Sequence, residues 1–111
     1  MTGIVFYSDR LVPEGFAGCT RAIFIFIRPQ YKDDAGLHAH ERVHVRQYLR
    51  SFGLMPFFYL FSEKYRYKAE VEAYRRQLQV SPGRAEQYAT FITTKYNLNV
   101  SYDEALADLE R

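Results

Sequence analysis

His40, Glu41 and His44 stand in the order His-Glu-x-x-His, residue types and a spacing that suit metal chemistry when carried on a helix. Four residues is about one helical turn, so the two imidazoles share a face and both reach a single ion. Glu41, next to the first His, is then placed to hold a water beside the metal and take its proton. A catalytic zinc ordinarily takes three protein ligands and keeps one position open, so a third ligand is needed from another segment. Glu70 and Glu72, within Lys68-Ala69-Glu70-Val71-Glu72-Ala73-Tyr74, are the candidates. Two residues along a helix is about 200° around it, so only one of them faces the metal. Glu70 is preferred, because Ala73 then packs close to the first helix; Glu72 is the rival. With Zn2+ on His40, His44 and Glu70 the site keeps a net positive charge, and bound water is acidified toward neutrality. The carbonyl oxygen of a substrate needs a further donor, for which Tyr74, Tyr67 and His38 are candidates. His38, two residues before His40, faces away on the helix.

The elements that must position these groups are legible in outline. Asp33 or Asp34 caps a helix running from Leu37 to Phe52, with Gly36 in its first turn and Gly53 as its stop. Leu37, His40, His44 and Gln47 form its inward stripe, and Arg42, Arg46 and Arg50 point to solvent. Pro56 opens a short apolar helix to Phe61, and a ligand helix follows from Lys64 to Val80, closed by Ser81-Pro82-Gly83. Antiparallel return of that helix brings Glu70 back over the two histidines. A further helix from Arg84 to Tyr96 carries Tyr88, Phe91, Ile92 and Tyr96 on one stripe, and Ser101-Tyr102-Asp103-Glu104 is a capping box that opens a last helix. Ahead of all these, residues 3–7 and 21–28 read as strands, separated by a loop with Pro13, Gly15 and Gly18, and Pro29 ends the second. The two strands are expected to pair antiparallel against the motif helix, giving an α+β fold: a short hairpin on a mainly helical core, in one domain over residues 1–111.

The pattern HExxHxxQ followed by Glu70-Val71-Glu72-Ala73-Tyr74 resembles the gluzincin metallopeptidases, and is similar to small metallopeptidase-like proteins of phages and prophages. The likeness covers roughly residues 20 to 80. It implies a zincin core, a Zn2+ cofactor and hydrolysis of peptide bonds, with Glu70 as third ligand. In that family an Asp one turn after the ligand Glu supports a zinc-bound His. Here Tyr74 stands in its place, a donor but no carboxylate. The resemblance also implies an edge strand beside the HExxH helix that binds extended polypeptide by β-augmentation, for which the second strand is the candidate.

Composition sets bounds on partners. The chain has 111 residues, 48% of them hydrophobic and 17% aromatic, with ten Tyr and nine Phe to fill a small core. A net charge of +2 is too small to point to nucleic acid. Lys64-Tyr65-Arg66-Tyr67-Lys68 interleaves bases and aromatics, but reads as a solvated helix start over packed tyrosines. Cys19 is the lone cysteine, so neither an intrachain disulfide nor a cysteine-rich metal site is available. The apolar stretch from Leu54 to Phe61 is too short to span a bilayer as a helix, and reads as a buried helix or a partner-facing patch. The first residues show no leader pattern, which makes the cytoplasm the expected location. Two functions compete. One is a zinc-dependent peptidase with Glu41 as general base, acting on a polypeptide substrate. The other is a zinc-stabilised, non-catalytic module that binds a protein partner, in a phage or prophage setting.

Overall fold

Hydrophobic alternation and turn chemistry at the N-terminal end build a three-stranded sheet, and the computed structural model describes residues 3–111 of the chain. Strands β1 (Ile4–Tyr7), β2 (Gly18–Arg21) and β3 (Phe24–Ile27) lie in the order β1-β3-β2. The fold is α+β: this small mixed sheet and five helices. Ile25 and Ile27 point inward and are fully buried with Leu37 and Val45 of the motif helix. Their neighbours Phe24 and Phe26 face the other way, against Phe6.

The pairing differs from the hairpin expected of residues 3–7 and 21–28. β1 runs parallel to β3, with Ile4 opposite Phe24 and Tyr7 opposite Ile27. The antiparallel partner of β3 is β2, taken from a stretch that reads as loop. The physical reason lies at Ala22, whose φ of 57° reverses the chain inside what looks like one continuous strand. The reversal creates a tight β2–β3 hairpin. It also moves the edge role: β3 is central and paired on both sides, so the edge strand beside the motif helix is β2, not the 21–28 stretch.

Helix α1 (Ala35–Arg50) begins where the Asp34 carboxylate accepts the Leu37 N–H at 3.0 Å. It ends where Phe52 and Gly53 both take positive φ, the Gly53 N–H closing on the Tyr48 carbonyl. Helix α2 (Met55–Phe61) follows, and then α3 (Glu63–Val80), capped by Ser62 on the Tyr65 N–H. α3 returns antiparallel to α1, so that Gly36 meets Gln77 and Ser81 while Gln47 meets Ala69. A Cβ on Gly36 would lie 3.0 Å from Ser81 Oγ and 3.1 Å from Gln77 Cγ, so this glycine is what lets the two helices close. Helices α4 (Ala85–Lys95) and α5 (Tyr102–Glu110) pack on the far side of α3. There Val71, Tyr74, Tyr88, Ala89, Ile92, Ala105 and Leu109 form a second apolar cluster.

Two further expectations change. α2 contains no fully buried residue, and its Phe57, Leu60 and Phe61 are mostly exposed, so it is no core helix. Of the three arginines set toward solvent, Arg46 and Arg50 are exposed, whereas Arg42 is half-buried. Among the described residues no helix is long and apolar enough to cross a membrane.

Candidate metal centre

The inward stripe of α1 and the facing stripe of α3 meet in a polar group between the two apolar clusters. His40, His44 and Glu70 are all buried, with ligand atoms within 4.8 Å of one another. Nε2 of His40 and Nε2 of His44 each lie 3.4 Å from Oε1 of Glu70. That separation is informative. Two ligands on bonds of about 2.1 Å at a tetrahedral centre stand roughly 3.4 Å apart. Direct charge-assisted hydrogen bonds would be about half an ångström shorter.

The proton inventory supports the same reading. His40 donates from Nδ1 to Oε1 of Gln77 at 3.0 Å, and His44 from Nδ1 to Oε1 of Gln47 at 2.9 Å. The orientation of Gln47 is fixed independently, because its amide N–H groups donate to the Ala69 carbonyl at 3.1 Å and to Glu72 at 2.8 Å. Its oxygen must therefore face His44, which puts the proton on Nδ1 and the lone pair on Nε2. Both Nε2 atoms and Oε1 of Glu70 thus converge as acceptors, and Oε1 has no hydrogen-bond partner although it is buried. A buried cluster of acceptors without a donor calls for a cation. In the metal-free protein a proton serves: burial opposes charging His44, but the adjacent Glu70 outweighs it and lifts the imidazole to about 9. Glu70, which burial would push up, is instead held well below the usual carboxylate range by His44 and His40.

Glu70, not Glu72, is the carboxylate brought to the histidines. Glu72 lies on the exposed side of α3, in an ion pair with Arg50 at 3.1 Å. Glu41 is buried, and Thr20 of β2 donates to its Oε1 at 2.7 Å. A Cβ on Gly18 would come within 3.5 Å of Glu41 Oε2, so the glycine keeps room at this carboxylate. Tyr74 sits against the site through its ring, edge-on to His40 with centroids 4.4 Å apart, and its hydroxyl pairs with that of Tyr96 at 2.7 Å. Burial pushes both phenols far above their ordinary range, so they remain protonated. The hydrogen-bond partner of His40 Nδ1 is therefore Gln77, one turn beyond Tyr74, and not Tyr74 itself. The other two donor candidates lie elsewhere. Tyr67 bonds Asp108, and His38 is held between the Asp34 carbonyl and the Tyr7 hydroxyl.

Three functional groups escape sequence reasoning. Tyr59 of α2 donates to Oε2 of Glu70 at 2.5 Å, from inside a stretch that looks uniformly apolar. It is the one hydroxyl in Met55–Phe61, which is the only signal it gives. Arg28 donates to the carbonyls of Asp9, Val12, Pro13 and Phe16, and so holds the loop beside the site. Arg66 donates to the Tyr59, Tyr96 and Asn97 carbonyls, tying α2 to the end of α4.

A hollow of about 860 Å3 opens over the triad between β2 and α2, with His40, Glu41, His44 and Glu70 in its wall and Thr20, Met55 and Leu60 at its sides. A second, of about 390 Å3, reaches His40, Glu41 and Tyr74 from the α4 side. Phe16 and Tyr96 border both, in edge contact at 5.8 Å. The fold and site therefore define an α+β protein with a buried His-His-Glu group able to hold a metal ion, open to a cleft. No family model, curated protein or solved structure matches the chain.

Proposed function

We propose that this protein is a zinc-dependent peptidase of gluzincin type, in which His40, His44 and Glu70 hold the metal and Glu41 is the general base. The observation that carries the reading is the convergence of two imidazole nitrogens on one Glu70 oxygen, each 3.4 Å from it, beside a buried carboxylate that opens on a cleft. The donor set, two imidazoles and one carboxylate on two helices, suits Zn2+. When bound, zinc supplies Lewis acidity toward water and a substrate carbonyl. Gln77 and Gln47 keep both imidazoles in the tautomer that presents Nε2. Glu41 accepts the proton of the attacking water on a carboxylate oxygen and returns it to the leaving amine. Thr20 positions that carboxylate from the edge strand, whose free side offers main-chain groups to an extended polypeptide. The Tyr74–Tyr96 pair shares one hydrogen bond and so retains a hydroxyl proton to offer the carbonyl oxygen as it gains charge.

The test is elemental analysis of the purified protein and of His40→Ala, followed by hydrolysis of a mixed peptide library by wild type and Glu41→Gln. The reading requires about one zinc per chain, lost in His40→Ala, and cleavage that Glu41→Gln abolishes while zinc stays bound. A second reading, a zinc-stabilised binding module without catalysis, is favoured by one feature. Phe16 and Tyr96, with Lys95 donating to the Gly15 carbonyl, bridge the cleft beside Glu41. It predicts zinc without hydrolysis, and function unchanged in Glu41→Gln.

A further inference from the structure

The turn after α1 and the whole of α2 expose Phe52, Leu54, Phe57, Phe58, Leu60 and Phe61, six large apolar side chains within ten residues. They project outward: Phe52 is 95% exposed and Phe61 76%. Exposed large apolar side chains clustered in this way on a small protein mark an interaction site. Its surroundings are basic. Residues 42–68 hold six of the chain's fifteen Lys and Arg but, of its thirteen acids, only Glu63, so the rest of the chain is net acidic. Arg46, Lys64 and Lys68 are exposed and, among the described residues, none pairs with a carboxylate.

We infer that this end of the molecule docks on an anionic lipid surface, with the α2 aromatics entering the interface and the flanking cations meeting the headgroups. Two features favour lipid over a second copy of the chain. A two-fold interface would set the basic rim against itself, like charge on like. Protruding phenylalanines also need a pocket in a protein partner, whereas a bilayer closes around them. Leu60 belongs both to the exposed patch and to the cleft wall, so docking sets the mouth of the cleft at the membrane surface. The inference does not depend on the peptidase reading.

The experiment is co-sedimentation of the full chain with phosphatidylcholine vesicles containing phosphatidylserine, and with phosphatidylcholine alone. Wild type should pellet with the anionic vesicles and be released by high salt. Lys64→Glu/Lys68→Glu should weaken binding about 25-fold or more, each lysine contributing roughly fivefold near a charged surface. Phe57→Ser/Phe61→Ser should lower it about a hundredfold, since each buried aromatic adds roughly tenfold. Both pairs are exposed, and unchanged circular dichroism and melting will confirm that the variants fold. Failure to pellet with either vesicle, equal binding to both, or a dimer in sedimentation that Phe57→Ser/Phe61→Ser converts to monomer would each overturn the proposal.

Discussion

Zinc uptake should expel a proton, and the amount is set by the pair at the centre of the site. Without metal, His44 is lifted from its ordinary 6.5 to about 9 by Glu70, against the cost of burial. At pH 7 the imidazole is therefore protonated almost completely, and the ion must displace that proton to reach Nε2. The apparent affinity for zinc is then about a hundredfold lower at pH 7 than its limiting value, at a factor of ten per unit. It rises about tenfold per pH unit up to about 9 and then levels off. Calorimetric titration in buffers of different ionisation enthalpy counts the proton directly, and about one per zinc is expected at pH 7. The same shift has a sign for stability. A raised His pKa favours the fold fully below the unfolded value and less as pH climbs through the folded one. The metal-free protein should thus lose stability between 6.5 and about 9. The zinc-loaded protein should not, since the proton is already gone. Proton release well below half per zinc, or an affinity flat between pH 6 and 8, would refute the charge coupling between His44 and Glu70.

Other perturbations test the supporting groups. Gln47→Met removes the acceptor for His44 Nδ1–H and the donor to Ala69, two buried groups left unsatisfied at about 1–3 kcal/mol each. A lower melting temperature and zinc binding weakened about 10–100-fold against a competing chelator are expected. Gly36→Leu should destabilise the protein by about 1–3 kcal/mol in urea unfolding, because α1 and α3 have no space for the added atoms. Gln77→Glu exchanges an amide for a carboxylate behind His40 and raises the donor strength of that imidazole. Zinc then binds more tightly but acidifies water less, so in the peptidase reading the acid limb of the pH–rate profile moves to higher pH. An unmoved limb would mean that His40 does not ligate.

The helical half of the molecule was legible because most of its elements carry cap, proline or glycine punctuation at their ends. Asp34, Gly53 and Ser101 all fall at helix ends, as cap chemistry demands, whereas the Ser62 cap of α3 is not among the ends read from the sequence. Helical geometry says only that Glu70 and Glu72 cannot both face the metal, and the small Ala73 tips the choice to Glu70; Glu72 pairs with Arg50 on the exposed side of α3. Two strands of the sheet were legible, since 3–7 and 21–28 contain β1 and β3, but their pairing was not, because its decisive feature is a reversal at Ala22, a residue with no turn preference. Its edge strand is four residues long and begins with glycine, so neither pattern nor propensity marks it. The polar partners were hidden for another reason. Gln47, Gln77 and Tyr59 acquire roles only when α1, α2 and α3 meet, and nothing local distinguishes them from residues on an ordinary helix.

The position of the site governs which experiment speaks to function. One apolar cluster joins β3 to α1, and another joins α3 to α4 and α5. The interface between α1 and α3 at the centre brings together imidazole, carboxylate and amide groups, with Ala69, Ala73 and the Tyr74 ring among them. A metal ion in that place would tie the two halves together, so its binding energy would be folding energy in either reading of the function. Loss of a ligand will therefore loosen the protein whether or not it is an enzyme. Glu41 differs from the ligands: it faces Thr20 and the cleft, and an amide of the same shape can keep the Thr20 bond. In the peptidase reading its replacement by Gln removes the base and little else, so catalysis and architecture separate at this residue.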